Sequence, residues 1–437
     1  MAEAVLIDLF SLRGNCIQKS LSFLKDMVVK RTNNNNAPFV YIMCCQTPSC
    51  ERTDVKDVTP DPIGRLRVLR EDCEVVSNPS MAAVLYSVKQ KLDAKNLSVI
   101  KMIVPPKKRA LIKAYVDCLF TALYRFEFEF LLVGCEGTCV QQPVENQNDR
   151  DILSREQLWD IQNDIQTYLG SLQNLQGAPT ILRSCLIPDR LFLHGFSTRA
   201  GGISYIPTLS SLNLFSSSRR RDPTAVVSEN LRRLARAAGF NPEAFHLVKV
   251  DHASEVWVMG KPEPDSYDGI VTDQKGVTIA APGADCIPLL FSDPIKRVCG
   301  AAHSGWKGTL LGVAMATVNA MVVEFGCSLK DILVVLGPSV GPCCFTLPRE
   351  EAKKFHAIHP DCVRFYDSPE PYIDIRKATR VLLEHGGILP QNIQDDSVTD
   401  RSQNLTLCTS CHPDKFFSNV RDGTNFGTQI GFISIKE

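Results

Sequence analysis

The chain has 437 residues, long for a single core and sufficient for two domains. Its apolar fraction of 44% and charged fraction of 22% describe an ordinary soluble globular protein. Forty-eight basic and forty-eight acidic side chains cancel, so no global field draws in nucleic acid or an anionic membrane.

Short basic runs, Lys107-Lys108-Arg109 and Arg219-Arg220-Arg221, read as solvated loops or helix ends before polyanion sites. No apolar stretch approaches the length of a membrane span, and Met1 to Arg13 does not have the form of a signal peptide. Seventeen scattered cysteines, an odd number, suit free thiols in a reducing compartment, so a cytoplasmic protein is expected.

Residues 1–176 read as a smaller amino-terminal α/β domain. "APFVYIMCC" and "LSVIKMIVP" have the apolar continuity of buried strands. Between them, Met81, Val84, Leu85, Val88 and Leu92 recur at helical spacing. "KKRALIKAYVDCLFTALYRFEF" continues with a helix, and "FEFLLVG" with a strand. Asn33 to Asn36 form a polar loop, and Cys135 and Cys139 read as two ordinary thiols. "SREQLWDIQNDIQTYLGSLQNLQGAP" predicts a long closing helix and a short linker.

From Ile181 the composition changes: more glycine, shorter strands, and all eight histidines at or beyond His194. "DPTAVVSENLRRLARAAG" predicts a helix, with Asp222 suited to the N-cap, Pro223 to the first turn and Gly239 to the stop. "KGVTIAA", "IPLLFSD", "VCGAAH" and "ILVVLGPSV" are strand candidates. "GTLLGVAMATVNAMVVEFG" predicts one buried helix ended by Gly326, and "DIRKATRVLLEHGG" another helix. The expected fold class is α+β, with residues 181–437 forming layered mixed sheets flanked by helices.

Cys286 and His303 stand at the two ends of an apolar pair of strands. They are open to three readings: nucleophile and base, metal ligands, or core residues. His303 ends a strand before the glycine-rich turn "SGWKG", a favoured place for ligands. His252, in "KVDHASEVWVMG", precedes an apolar run. Two imidazoles and one thiolate would leave a tetrahedral zinc one open position, as catalytic sites do. In "HGFSTRAGGIS", Arg199 beside Gly201-Gly202 offers a fixed charge to an anion, or a tight hairpin with a surface arginine. Asn213 in "TLSSLNLF" is either satisfied in the core or facing a site. "CTSCH" fails as a haem attachment and lacks the context of a thioredoxin-like pair. It reads as a structural thiol pair or a loop near the site, and Cys343 and Cys344, adjacent and so ill-suited to chelate one ion, as packing.

Taken in order, "HGFSTRAGGIS", "SLNLF", "VDH", "DGIVTDQKGVTIAAPGADCIPLLFSDP", "CGAAHSGWKGTLLGV", "GPSVGPCCF" and "FFSNVRDG" resemble the multicopper polyphenol oxidoreductase (laccase) domain family, which includes the bacterial YfiH and YlmD proteins. The likeness runs from about Leu191 to the carboxyl end. With the first domain added, the whole resembles the vertebrate two-domain members. It departs from the common pattern at Ser304 and Lys307 in "HSGWKG", at "GAD" before Cys286, and near the end, where the family's "RRDG…GR" stands as Val420, Arg421 and Thr428 with only one of the arginines kept.

The resemblance implies a YfiH-like fold and a zinc-dependent purine nucleoside enzyme. It would phosphorolyse adenosine, inosine, guanosine and S-methyl-5'-thioadenosine with phosphate as co-substrate, and deaminate adenosine to inosine. The family's metal ligands fall on His252, Cys286 and His303. Asp268 and Asp285 become acid, base or ligand-orienting candidates; Arg199, Asn213 and Lys307 become substrate-binding candidates. Copper is not expected, since a multicopper centre needs more than eight histidines and His-x-His pairs, which this chain lacks. Two alternatives stay open: a Cys–His hydrolase using Cys286 and His303, and a non-catalytic scaffold with protein partners on the first domain.

Overall fold

The computed structural model describes residues 2–10, 38–45, 73–130, 153–395, 405 and 407–437. The chain divides into two compact units, Met1–Leu172 with Ser217–Ala225, and Gln173–Ser216 with Val226–Glu437.

In the first unit, β1 (Ala4–Asp8), β2 (Phe39–Cys44), β3 (Cys73–Ser77), β4 (Val99–Val104) and β5 (Arg125–Phe130) form one parallel sheet in the order β3-β2-β1-β4-β5. Helix α1 (Met81–Ala94) starts where Ser80 accepts the Ala83 amide, and the five apolar residues read at helical spacing are all buried. The predicted helix after Lys107 is shorter than expected: α2 (Arg109–Leu119) stops, and "RFEFEF" runs as strand β5. Its two-residue alternation suits a sheet, which outweighs the helical pattern before it. Helix α3 (Arg155–Ser171) opens on a capping box of Ser154 and Gln157. The polar loop at Asn33, residues 131–134 of "FEFLLVG", and Cys135 and Cys139 lie outside the described residues.

The second unit stacks two mixed sheets. Its elements in chain order are β6 (Ile181–Leu182), β7 (Phe192–Ser197), α4 (Thr224–Ala238), β8 (Phe245–Leu247), β9 (Val256–Val258), β10 (Gly269–Thr272), β11 (Thr278–Gly283), β12 (Ile287–Asp293) and β13 (Val298–Ser304). There follow α5 (Trp306–Leu311), α6 (Val313–Phe325), β14 (Leu333–Leu336), α7 (Arg349–Ile358), the ribbon β15 (Val363–Arg364) and β16 (Tyr372–Ile373), α8 (Ile375–His385), β17 (Ile393–Gln394), α9 (Asn419–Asp422) and β18 (Gln429–Ile435). One sheet runs β17-β14-β12-β13-β10-β9 and the other β6-β7-β18-β11-β8.

Alternation along the central strands explains the layering. Leu290, Cys299, Ala301 and Ile270 pack between the sheets against Phe196, Ile279 and Ile433. Leu289, Phe291 and Ala302 turn the other way, onto Val313, Val318 and Met321 of α6 and Ala378 of α8. The second sheet's outer face, through Ala280 and Phe432, covers Leu234 and Ala238 of α4. Strands buried on both faces read as continuous apolar runs, as "IPLLF" does. The single helix predicted from Gly308 to Gly326 is divided in two. Gly312, at φ +80°, takes a left-handed conformation that ends α5 and redirects the chain into α6. Among the described residues, no helix is long and apolar enough to cross a membrane.

Candidate functional site

Strand pairing carries Cys286 to His303. In the β12–β13 hairpin, Ile287 pairs with Ser304 and Pro288 with His303, so the residue just before β12 meets the penultimate residue of β13. The next strand, β10, pairs antiparallel with β13 through Gly269 and Ala302 and parallel with β9 through Val256. That places Asp268 beside His303, and the loop before β9, with His252, beside both. The ligand-type atoms of His252, Cys286 and His303 all lie within 4.8 Å of one another. The two imidazole rings stand 4.9 Å apart and nearly perpendicular, at 88°.

Asp268, fully buried, organises this group. Its Oδ2 accepts the amides of Asp251 (3.1 Å) and Ala253 (2.8 Å), and its Oδ1 accepts the His252 amide (3.2 Å). The same Oδ1 lies 2.8 Å from Nδ1 of His303, leaving Nε2 for the third partner. The His252 backbone is held at φ +60°, a left-handed conformation that the convergent amide bonds impose. Gly305 is required by close approach: a Cβ there would stand 2.9 Å from Cys286 Sγ and 3.4 Å from His252 Cδ2.

The electrostatics match a thiolate. Burial opposes charge on Cys286, but the His303 charge and hydrogen bonds from both imidazoles outweigh it and hold the thiol below its usual range. Burial likewise opposes His303⁺, yet the Cys286 thiolate and the Asp268 bond raise it above the ordinary histidine range. Burial also penalises the Asp268 carboxylate, and the His303 and amide bonds more than compensate, keeping it lowered. Positive charge is what this thiolate wants, whether a proton on imidazole or a cation between the three donors. The donor set fits a zinc-type ion: one sulfur and two nitrogens at one place, grading from exposed His252 through half-buried Cys286 to buried His303.

The other expected site residues fall elsewhere in the local architecture. Asp285, at φ +95°, turns its carboxylate away from this cluster, accepting Thr409 Oγ1 (2.7 Å) and the Val420 amide (2.7 Å). Burial raises it against these donors. Arg199 is buried, its Nε, Nη1 and Nη2 donating to the carbonyls of Ser210, Pro413 and Pro207 while it lies over the Phe417 ring. Asn213 is fully buried, with Oδ1 accepting the Thr428 amide and Nδ2 donating to the Phe215 carbonyl. Lys307 is exposed and stands 5.4 Å over the Trp306 ring. At one departure from the family pattern, Ser304 bonds Thr309 (2.9 Å); beside another, at Val420, the Arg421 that the pattern shares donates to the Thr409 and Phe416 carbonyls.

A second group escaped the sequence reading. Sulfurs of Cys343, Cys344, Cys408 and Cys411 also lie within 4.8 Å of one another. Of the adjacent pair, Cys344 packs partly against the core, as expected, while Cys343 does not. A turn in which the Cys344 and Phe345 amides reach the Gly341 carbonyl leaves Cys343 exposed and aims both thiols at Cys411. The signal available was the Cys-x-x-Cys spacing of "CTSC", which needs a partner pair to become a site.

Comparison with known proteins agrees with this architecture. The family described as multi-copper polyphenol oxidoreductase laccase matches residues 193–436. Purine nucleoside phosphorylase LACC1 of Homo sapiens is 61% identical across the whole of both chains, and that of Mus musculus 58%. Purine nucleoside phosphorylase YlmD of Bacillus subtilis (strain 168) is 30% identical over 56% of this chain and 88% of its own. Among solved structures, YlmD from Geobacillus stearothermophilus superposes with a TM-score of 0.53 at 28% identity, covering 60% of this chain and 99% of that one.

Proposed function

Because the chain belongs to the multi-copper polyphenol oxidoreductase laccase family, we propose that it is a zinc-dependent purine nucleoside phosphorylase, with residues 181–437 as its catalytic domain. The observation that carries this reading is the convergence of His252, Cys286 and His303, oriented by one buried carboxylate. The substrates we assign are adenosine, inosine, guanosine and S-methyl-5'-thioadenosine, with phosphate, and hydrolytic deamination of adenosine as a second activity.

His252, Cys286 and His303 are the residues that would hold the ion. When bound, zinc supplies Lewis acidity at the one position those donors leave open. Asp268 keeps the Nδ1 proton of His303 and fixes the His252 loop through three amide bonds, so both imidazoles meet the thiolate in one orientation. In phosphorolysis a phosphate oxygen bonds to the anomeric carbon as the bond to the purine nitrogen breaks. The electron pair stays on the base, which takes up a proton. In deamination water adds at the carbon bearing the amine and ammonia leaves. Lys307, its ammonium in solvent, is the cation we assign to phosphate. Arg199 and Asn213, bonded to backbone, hold the surrounding loops in register.

One observation favours a second reading. Cys286, His303 and Asp268 also have the order of a nucleophile, its base and the base's orienting carboxylate. Metal content and turnover of each nucleoside, with and without phosphate, separate the two in the full chain and in Cys286→Ala. The metal reading expects phosphate-dependent base release, lost with chelation, and one fewer zinc per chain in the variant. A chain that turns over no purine nucleoside, or that works undiminished after chelation, would overturn it.

A further inference from the structure

The four-thiol group lies outside the triad, on different loops, and the reaction above does not use it. Cys343 and Cys344 come from the turn that follows β14, and Cys408 and Cys411 from the segment before α9. The Sγ of Cys411 lies 3.5 Å from that of Cys343 and 3.3 Å from that of Cys344. A disulfide brings two sulfurs to about 2.05 Å, so these are free thiols. One sulfur midway between two others cannot pair with both. Four sulfurs around a tetrahedral ion at about 2.3 Å would stand about 3.8 Å apart. The observed spacings and the 4.8 Å limit on the whole group bracket that value. The Gly341 amide also donates to Cys408 Sγ at 3.2 Å, as backbone amides do to bound thiolates. A Cβ on Gly341 would come 2.7 Å from Arg376 Nη2, 3.2 Å from Cys408 Cβ and 3.3 Å from Cys343 Sγ, so glycine makes room for the guanidinium and the thiols together.

We propose that Cys343, Cys344, Cys408 and Cys411 together bind one zinc ion as a structural site. Four sulfur donors in a closed tetrahedron select a thiophilic ion and leave no position for substrate. Its purpose follows from its neighbours. Thr409, between the two cysteines of the second segment, gives its amide to the Ser339 carbonyl (3.1 Å) and its hydroxyl to Asp285, the residue preceding Cys286. The ion therefore clamps the segment that anchors the Cys286 turn.

The test uses the full chain carrying Cys286→Ala, reduced, stripped with chelator and titrated with cobalt(II) alone. One equivalent should bind, with the intense red absorption and near-ultraviolet charge transfer of a tetrahedral thiolate site. Adding Cys411→Ser should abolish that spectrum and lower the melting temperature. Should the variants not fold, X-ray absorption on the zinc-loaded unmutated chain decides: about 2.5 sulfurs per zinc when both sites fill, and four if only this one does. A shell of one sulfur and two nitrogens would support the triad and overturn this site. So would an iron chromophore in the purified chain, or a Cys411 disulfide in chain purified without oxidant.

Discussion

Asp268 and His303 are joined twice. The Asp268 carbonyl accepts the His303 amide at 2.7 Å, and its carboxylate Oδ1 lies 2.8 Å from His303 Nδ1. The first bond continues the β10–β13 ladder; the second fixes the imidazole tautomer. One residue thus ties the sheet's register to the direction of Nε2.

Asp268→Asn keeps the shape and changes the acceptor. An amide can present its NH2 to Nδ1 or lose one of the amide donors from the His252 loop. Zinc affinity should fall by about 10–100-fold, with kcat falling alongside. Competition with a chromophoric chelator measures this, and unchanged affinity would remove Asp268 from its orienting role.

Gly305→Ala tests the close approach. The added methyl meets Cys286 Sγ at 2.9 Å, so the thiol or the turn must move. A displacement of about 1 Å at a reacting site costs on the order of 100-fold in rate. The core is untouched, so the melting temperature should change by less than that of a core truncation. Full activity would show that the thiol position is not critical.

Thr409→Val removes the hydroxyl that Asp285 accepts and leaves a buried carboxylate one donor short. The expected loss is about 1–3 kcal/mol in denaturant unfolding. A loss nearer zero would mean that water replaces the hydroxyl, freeing the Cys286 turn from this anchor.

Asp93→Ala addresses the first unit. Asp93 accepts Lys89 Nζ at 2.8 Å, Arg221 Nη1 at 2.6 Å and the Tyr124 hydroxyl, and Lys89 is fully buried. Removing the carboxylate takes the 2.8 Å ion-pair partner from a buried ammonium, for an expected loss of about 3–5 kcal/mol. Lys89→Met in the same background should recover most of it, and no recovery would locate the cost in Arg221 or Tyr124 instead.

Apolar patterning alone made the layered strands and helices of the second unit legible. Apolar runs such as "IPLLFSD" have one stable use, between two packed layers, and β12 covers that stretch. The motif blocks also singled out His252, Cys286 and His303. Local patterning was weaker where one glycine overrides a helical run, as at Gly312, and where alternation takes over from helical spacing, as at β5.

Which polar groups meet depends instead on strand register and loop packing. Asp268, Asp285, Arg199 and Asn213 look alike in a sequence, each a polar residue beside apolar ones. Register turned the first onto His303, while strand ends and loop crossings sent Arg199 and Asn213 to backbone partners and Asp285 to the Thr409 hydroxyl and the Val420 amide. The four thiols are the clearest case. Cys343 and Cys411 are separated by 67 intervening residues yet stand 3.5 Å apart, because hydrogen bonding between two loops sets that distance and spacing along the chain does not.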